Sequence, residues 1–147
     1  MRPYAAETDV TVAKSKTQIE NLLAEFKATS IMMGSNQAHA VIAFEMAERR
    51  VKFLLPLPQS IEFDGRRYPM SAMEQATRTR WRALYLALRA KLEMAATGIT
   101  SFESEFLSHI VLPDGQTVGK HTRPMIEAAY KSGKVTPLLP DYSGSPR

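Results

Sequence analysis

Cysteine is absent from this chain, and its absence removes several classes of function. Without thiols there is no disulfide framework, no thiol nucleophile and no metal site built from thiolate ligands. Long apolar segments are absent too, because the run from Val51 to Leu57 is interrupted by Lys52 and Pro56 and is far too short to cross a bilayer. The first residues also lack the apolar core of a signal peptide. We therefore expect a cytoplasmic protein that does not contact a membrane.

The common motifs of nucleotide-binding and hydrolytic enzymes are also missing. The glycines stand apart, so neither the phosphate-binding loop nor the dinucleotide-binding spacing occurs. There is no Gly-x-Ser-x-Gly nucleophile elbow and no His-Glu-x-x-His zinc motif. These absences predict a protein that is not an enzyme, with no cofactor, no catalytic residue and no metal ligand.

Only three histidines remain as candidates for chemistry: His39, His109 and His121. His39 precedes a strand pattern and is expected to be half-exposed. A hairpin around Asp114 would bring His109 and His121 together, and with Glu105 they would form a two-histidine, one-carboxylate metal site. The spacing fits no characteristic metal motif, however. We therefore favour the alternative that Glu105 and His109 form a surface pair on one helix face, while Asp114 is simply a turn former.

Hydrophobic periodicity predicts four helices in this chain. Sequences with capping-box spacing at 15–18, 71–74 and 100–103 predict the starts of three of them, and a fourth helix is expected at 122–130. The second helix is long and ends near Gly98. Its apolar residues at helical spacing are the predicted core contact, namely Trp81, Leu84, Leu88 and Leu92.

Alternation of apolar and polar residues predicts the strands. They are expected at 9–13, 28–33, 39–46 and 49–55, with a small hairpin at 61–68 and two short strands within 110–118. The order is (β)α-βββ-α followed by α-ββ-α. This order indicates an α+β domain, with a small antiparallel sheet of three to four strands and a long helix and short helices packed on it. We expect a flexible arm at 1–8, a single domain at 9–136 and an extended tail at 137–147.

The net charge of +4 is unevenly distributed along the chain. Residues 49–91 contain ten basic and three acidic side chains, so this segment alone has a net charge of +7. The natural partner of such a segment is a polyanion or an acidic protein surface.

Part of this charge lies in a row on the long helix. Its spacing places Arg78, Arg82, Tyr85 and Arg89 within about one-sixth of a turn of one another. Guanidinium groups with a tyrosine among them can follow a phosphate backbone and stack on a base. We expect basic strand residues to line the same groove. The predicted nucleic-acid-binding residues are Arg50, Lys52, Arg66, Arg67, Arg78, Arg82, Tyr85 and Arg89, with Tyr68 as a second stacking candidate.

A purely structural interpretation of the same residues is also open. Long arginines can solvate a helix while their stems cover apolar neighbours. Basic residues at strand edges can also protect a sheet from edge-to-edge aggregation.

Several segments carry a resemblance to a known group of proteins. They are RWRAL at 80–84, KLE at 91–93, GITSFE at 98–103, EFL at 105–107, HIVLPDGQTVG at 109–119, Ala129-Tyr130, Gly133 and PLLP at 137–140, with VKFLLPLP at 51–58. In these segments the chain is similar to small uncharacterised proteins encoded by bacteriophages and prophages. The resemblance implies a context, an intracellular phage product acting on nucleic acid or on a host protein, but no activity and no site residue.

From these features we predict a non-enzymatic nucleic-acid-binding accessory protein of weak sequence specificity, with DNA or RNA, single- or double-stranded, as partner. The alternative is a protein-binding module that inhibits or redirects a host factor, such as a host defence complex or the transcription machinery, with the eight methionines as adaptable contacts. The long helix is also apolar on a second side, at Leu86, Ala90 and Met94. Because one small sheet covers only one stripe of a helix, we expect a homo-oligomer, most simply a two-fold dimer.

Overall fold

The computed structural model describes residues 4–58, 62–63, 66–67 and 70–135. For residues 62–63, 66–67 and 70–71 it describes the backbone but not the side chains. In chain order the elements are α1 (Val12–Glu25), β1 (Thr29–Ser35), β2 (His39–Met46), β3 (Arg49–Pro56), β4 (Glu62–Phe63), β5 (Arg66–Arg67), α2 (Met70–Ala96), α3 (Phe102–Glu105), a 3₁₀ turn (Leu107–His109) and α4 (Val118–Ser132). The predicted α+β class is confirmed. The predicted tail and Tyr68 lie outside the described residues.

Helix α1 begins where the sequence predicted a strand. Thr11 is its N-cap, and the Thr11 hydroxyl accepts a hydrogen bond of 3.1 Å from the backbone N–H of Lys14. The β-branched residues at 9–13 favour a strand locally, but the threonine hydroxyl satisfies a free helical N–H group, which favours the helix start. The predicted strand at 9–13 is therefore wrong. The described part of the predicted arm lies against α2, because the side-chain amide of Gln75 donates to the carbonyls of Ala6 and Thr8.

Strands β1, β2 and β3 form an antiparallel sheet in that order, as the alternation predicted. One face of the sheet is buried, and we call it the inner face; it includes Ala40, Ile42, Phe44, Val51 and Phe53. Residues between these positions point to the opposite, outer face. Helices α1 and α2 cover the inner face. The predicted hairpin at Ala47-Glu48 is confirmed, with φ angles of 51° and 60° at these two residues.

Helix α2 packs its predicted stripe into the core, since Trp81, Leu84, Leu88 and Leu92 are all buried. No large hydrophobic side chain that is described on α2 is exposed. On the second apolar side, which motivated the prediction of a dimer, Leu86 and Met94 are half-buried and Ala90 is exposed, so this side is only partly covered within one chain. Among the described residues, no helix combines the length and apolarity needed to cross a membrane.

The C-terminal elements differ from their predicted bounds. The N-cap of α3 is Ser101 rather than Thr100, and the two strands predicted within 110–118 are reduced to isolated bridges, Val51↔Ile110 and Val111↔Thr117. Helix α4 starts four residues earlier than expected, because the Thr117 hydroxyl caps it. Its predicted end is confirmed, since Gly133 adopts the left-handed conformation at φ 70°.

Candidate nucleic-acid interface

The predicted arginine row of α2 lies along the seam between α2 and α1. The Arg82 guanidinium donates a hydrogen bond to the side-chain oxygen of Gln18 on α1 and lies 4.5 Å from the centre of the Tyr85 ring. Arg78 donates to the side-chain oxygen of Gln75 at 2.5 Å. Both guanidinium groups already have partners within the protein, so they are only partly available to a phosphate.

The last residue of the row, Arg89, stands among carboxylates. It lines a cleft of about 250 Å³ between the two helices, together with Glu25 and Glu93. The negative charge of these two side chains opposes the approach of a phosphate. The α1–α2 seam is therefore a poor site for a polyanion.

Two of the predicted strand residues, Arg50 and Lys52, lie on the other side of the three-stranded sheet. Arg50 and Lys52 alternate with the buried Val51 and therefore point to the outer face, whereas α2 covers the inner face. Arg50 forms a cross-strand ion pair with Glu45, with an N–O distance of 3.3 Å. Arg66 and Arg67 form β5, and their side chains lie outside the description. The described residues therefore do not form the single groove that we expected.

A different groove is lined by positively charged side chains that form no ion pair with any residue the structure describes. It lies between the outer face of the sheet and the first half of α4, has a volume of about 560 Å³, and we call it the basic groove. Three of its lining residues are cationic: Lys52 from β3, and Lys120 and Arg123 from α4. Val41 and Leu54 line it from the sheet, and none of its lining residues is acidic. Among the described residues, the side chains of these three cations have neither a hydrogen bond nor an ion pair.

Backbone contacts hold α4 against the sheet and set the geometry of this groove. The N–H of Val111 donates to the carbonyl of Arg50 at 2.8 Å, and the N–H of Val118 donates to the carbonyl of Ile110 at 2.9 Å. Gly119 permits the close approach, because a Cβ atom there would lie 2.9 Å from the carbonyl oxygen of Ser108. The first turn of α4 is consequently held beside β3.

His109 forms part of the groove wall. Its ring stacks on Phe53, with centroids 3.8 Å apart. Burial, and secondarily the charge of Lys91, lower the pKa of His109 below 6.5, so its imidazole is neutral at pH 7.

The predicted surface pair of Glu105 and His109 is wrong. The helix of Glu105 ends before His109, and the Glu105 carboxylate instead pairs with Lys91 at 3.5 Å.

His121 and Asp114 form a separate pair, with 2.6 Å between Nε2 and Oδ2. The Asp114 carboxylate also accepts a 2.9 Å hydrogen bond from the N–H of Gln116, which confirms Asp114 as a turn former. This bond, followed by the one with His121, lowers the pKa of Asp114. Glu105, His109 and His121 thus each have different neighbours. Within the described parts of the chain, no three acidic or histidine side chains are grouped to hold a metal ion.

Of the three cations of the basic groove, the sequence prediction contained only Lys52. Lys120 and Arg123 were missed because the last helix was expected to start at 122. A signal was available, since Thr117 can cap a helix in which Lys120 and Arg123, three residues apart, share one face. No protein-family model, no curated protein and no solved structure matches this chain.

Proposed function

We propose that this protein is a non-enzymatic nucleic-acid-binding protein and that the basic groove is its binding site. One observation carries the proposal: within the described part of the chain, three cationic side chains without a hydrogen bond or an ion pair line a groove that has no carboxylate among its lining residues. Elsewhere, Arg49 and Arg50 are paired with Glu103 and Glu45. Compared with these positions, the basic groove offers the more favourable electrostatic environment for a phosphate.

The chemistry of the groove suits a nucleic-acid backbone. Lys52 and Lys120 offer point charges to phosphate oxygens, and Arg123 offers the planar fork that binds a phosphate in bidentate fashion. Val41 and Leu54 provide apolar contacts for a sugar or a base. Because contacts to phosphate carry no sequence information, binding is expected to be weakly sequence-specific.

The test is fluorescence anisotropy with single- and double-stranded oligonucleotides at low and moderate salt. The variant Lys52→Gln/Lys120→Gln/Arg123→Gln removes the three groove charges. The matched control, Lys14→Gln/Lys27→Gln/Lys134→Gln, removes three exposed charges elsewhere and has the same net charge. We expect the groove variant to lose about 100-fold or more in affinity at low salt, and the control to lose less than about fivefold.

Two results would overturn the proposal. One is the absence of binding by the unaltered protein at low salt. The other is an equal loss of affinity in the two triple variants, which would assign binding to the overall charge rather than to the basic groove.

We propose a protein partner as the second candidate function. Beside the basic groove, α4 exposes Ile126 and Tyr130, with 52% and 87% of their surfaces accessible. Such a surface suits a module that inhibits or redirects a host factor with an acidic face. A stable partner in a pull-down that is lost with Tyr130→Lys, together with weak oligonucleotide binding, would favour this candidate over the first.

A further inference from the structure

The two edge strands of the sheet, β1 and β3, differ in how well they are protected against pairing with another strand. The edge at β3 carries Arg49, Arg50 and Lys52, ends at Pro56, and is bridged by Ile110 and Val111. Charge, proline and a covering segment are the usual means by which a protein blocks unwanted strand pairing. The edge at β1 has none of them: its seven residues, TSIMMGS, include no charge and no proline, and none of the described residues pairs with its free side.

The backbone groups on this free edge can be assigned from the ladder. Asn36 donates its N–H to the carbonyl of His39, which makes that pair a hydrogen-bonded one. Hydrogen-bonded and non-hydrogen-bonded pairs alternate along an antiparallel ladder. The pairs Ser35↔Ala40 and Met33↔Ile42 are therefore of the second kind. The N–H and C=O groups of Met33 and Ser35 consequently point away from β2, towards the free side.

On the outer face of the sheet, β1 has an exposed side chain, Met32, next to a position without a side chain, Gly34. The Met32 side chain is 65% exposed and points outward. Gly34 is the next residue on the same face, and a Cβ atom built there would meet nothing within 4 Å. The irregularity in β1 lies between Thr29 and Met32, so the part from Met32 to Ser35 pairs regularly with β2.

We propose that β1 pairs antiparallel with β1 of a second copy, which joins the two sheets into one six-stranded sheet with two-fold symmetry. If Met33 lies opposite the partner's Met33, the free N–H and C=O groups of the two residues satisfy each other. The same register places the exposed Met32 over the gap at the partner's Gly34. The edge thus fits its own copy through hydrogen bonds and through shape.

Charge also favours a second copy in this orientation. The edge contributes no charge to the interface, although each chain carries a net charge of +4. The nearest cation along the chain is Lys27, just before β1. Antiparallel pairing places the two Lys27 side chains at opposite ends of the interface, whereas parallel pairing would place them side by side.

The first experiment measures the oligomeric state of the full chain by sedimentation at tens of micromolar. We expect a dimer of the 16.4 kDa chain. The variant Gly34→Lys fills the gap and places two like charges near the symmetry axis, so the dimer dissociation constant should rise by about tenfold or more. Leu54→Lys is the matched control, since Leu54 is an exposed apolar residue on the same face but on the far strand. It should leave the dimer intact.

The second experiment tests the register and uses the absence of native cysteine. Facing residues of a non-hydrogen-bonded pair lie about 4.5 Å apart between Cα atoms, which suits a disulfide. The single variants Met32→Cys and Gly34→Cys are prepared separately, mixed and mildly oxidised. The mixture should form a covalent dimer much faster than either variant alone.

Several outcomes would overturn the proposal. A monomer at all concentrations would do so, as would cross-linking in the mixture no faster than in the single variants. A dimer that tolerates Gly34→Lys but is lost with Tyr130→Lys would place the interface on α4. A monomer that captures an extended peptide along β1 would assign the edge to a different partner.

Discussion

The hairpin between β2 and β3 places two consecutive residues other than glycine in the left-handed region of backbone conformation. Ala47 and Glu48 both have positive φ angles, which the tight turn requires and which cost an L-residue about 1 kcal/mol or more. We expect Ala47→Gly to raise the free energy of unfolding by about 0.5–1 kcal/mol, measured by urea denaturation. The same exchange at Ala87, an exposed position within α2, should lower it by about 1 kcal/mol. A loss of stability in both variants would contradict the assigned role of the turn.

His109 is expected to make stability depend on pH. Its pKa is lowered in the folded state, chiefly by burial, so the unfolded chain binds the proton more readily. The folded state therefore has its full stability above pH 6.5, the pKa of His109 in the unfolded chain. Stability declines as the pH falls from there towards the lower pKa of His109 in the folded state. Urea denaturation at about pH 7.5 and about pH 5.5 should show a decline that is smaller in His109→Gln. The variant His39→Gln, at an exposed histidine, should retain the decline of the unaltered protein. Equal declines in all three proteins would contradict the prediction.

At the scale of elements, the position of α4 depends on one close backbone approach. A methyl group on Gly119 would lie 2.9 Å from the carbonyl oxygen of Ser108, which a helix start cannot accommodate without moving. We expect Gly119→Ala to lower the free energy of unfolding by about 1–3 kcal/mol and to speed hydrogen exchange at the Val118 amide. Glu127→Ala, at an exposed position of the same helix, should change stability by less than about 0.5 kcal/mol. An equal effect of the two substitutions would show that the approach is not tight.

The helices and strands themselves were largely predictable from local pattern. Strands β2 and β3 alternate with period two, and the stripe of α2 repeats with the helical period, because each element must bury one face. The wrong strand predictions at 9–13 and 110–118 have the same cause. At 9–13 and 110–118 the β-branched residues favour strands, but Thr11 and Thr117 cap helices instead.

At the scale of the whole molecule, the salt dependence of binding separates two arrangements of charge. A site formed by Lys52, Lys120 and Arg123 neutralises three phosphates, so the affinity for duplex DNA should fall with a log–log slope of about −2.7. The seven basic residues predicted from the sequence would together give a slope of about −6. Anisotropy titrations across a salt series measure this slope. A value near the steeper limit would contradict the assignment to the basic groove.

The proposed dimer would change the shape of the binding surface. In a six-stranded sheet, the two β3 strands would lie about 24 Å apart, at about 4.8 Å per strand spacing. Both basic grooves would then lie on the same outer face. A long polyanion could engage both grooves at once and gain affinity without any new type of contact.

The sequence by itself determined the fold class, the three central strands, the core stripe of α2 and the excess of positive charge, because each of these follows from composition or from a short-range period. Only the tertiary structure decided which cations are free. Helix α1 lies along the arginine row of α2 and supplies Gln18 and Glu25 to it, whereas α4 brings Lys120 and Arg123 to Lys52 across the outer face. For Arg82, and for the three cations of the basic groove, the decisive neighbours are distant along the chain, and no local pattern encodes them.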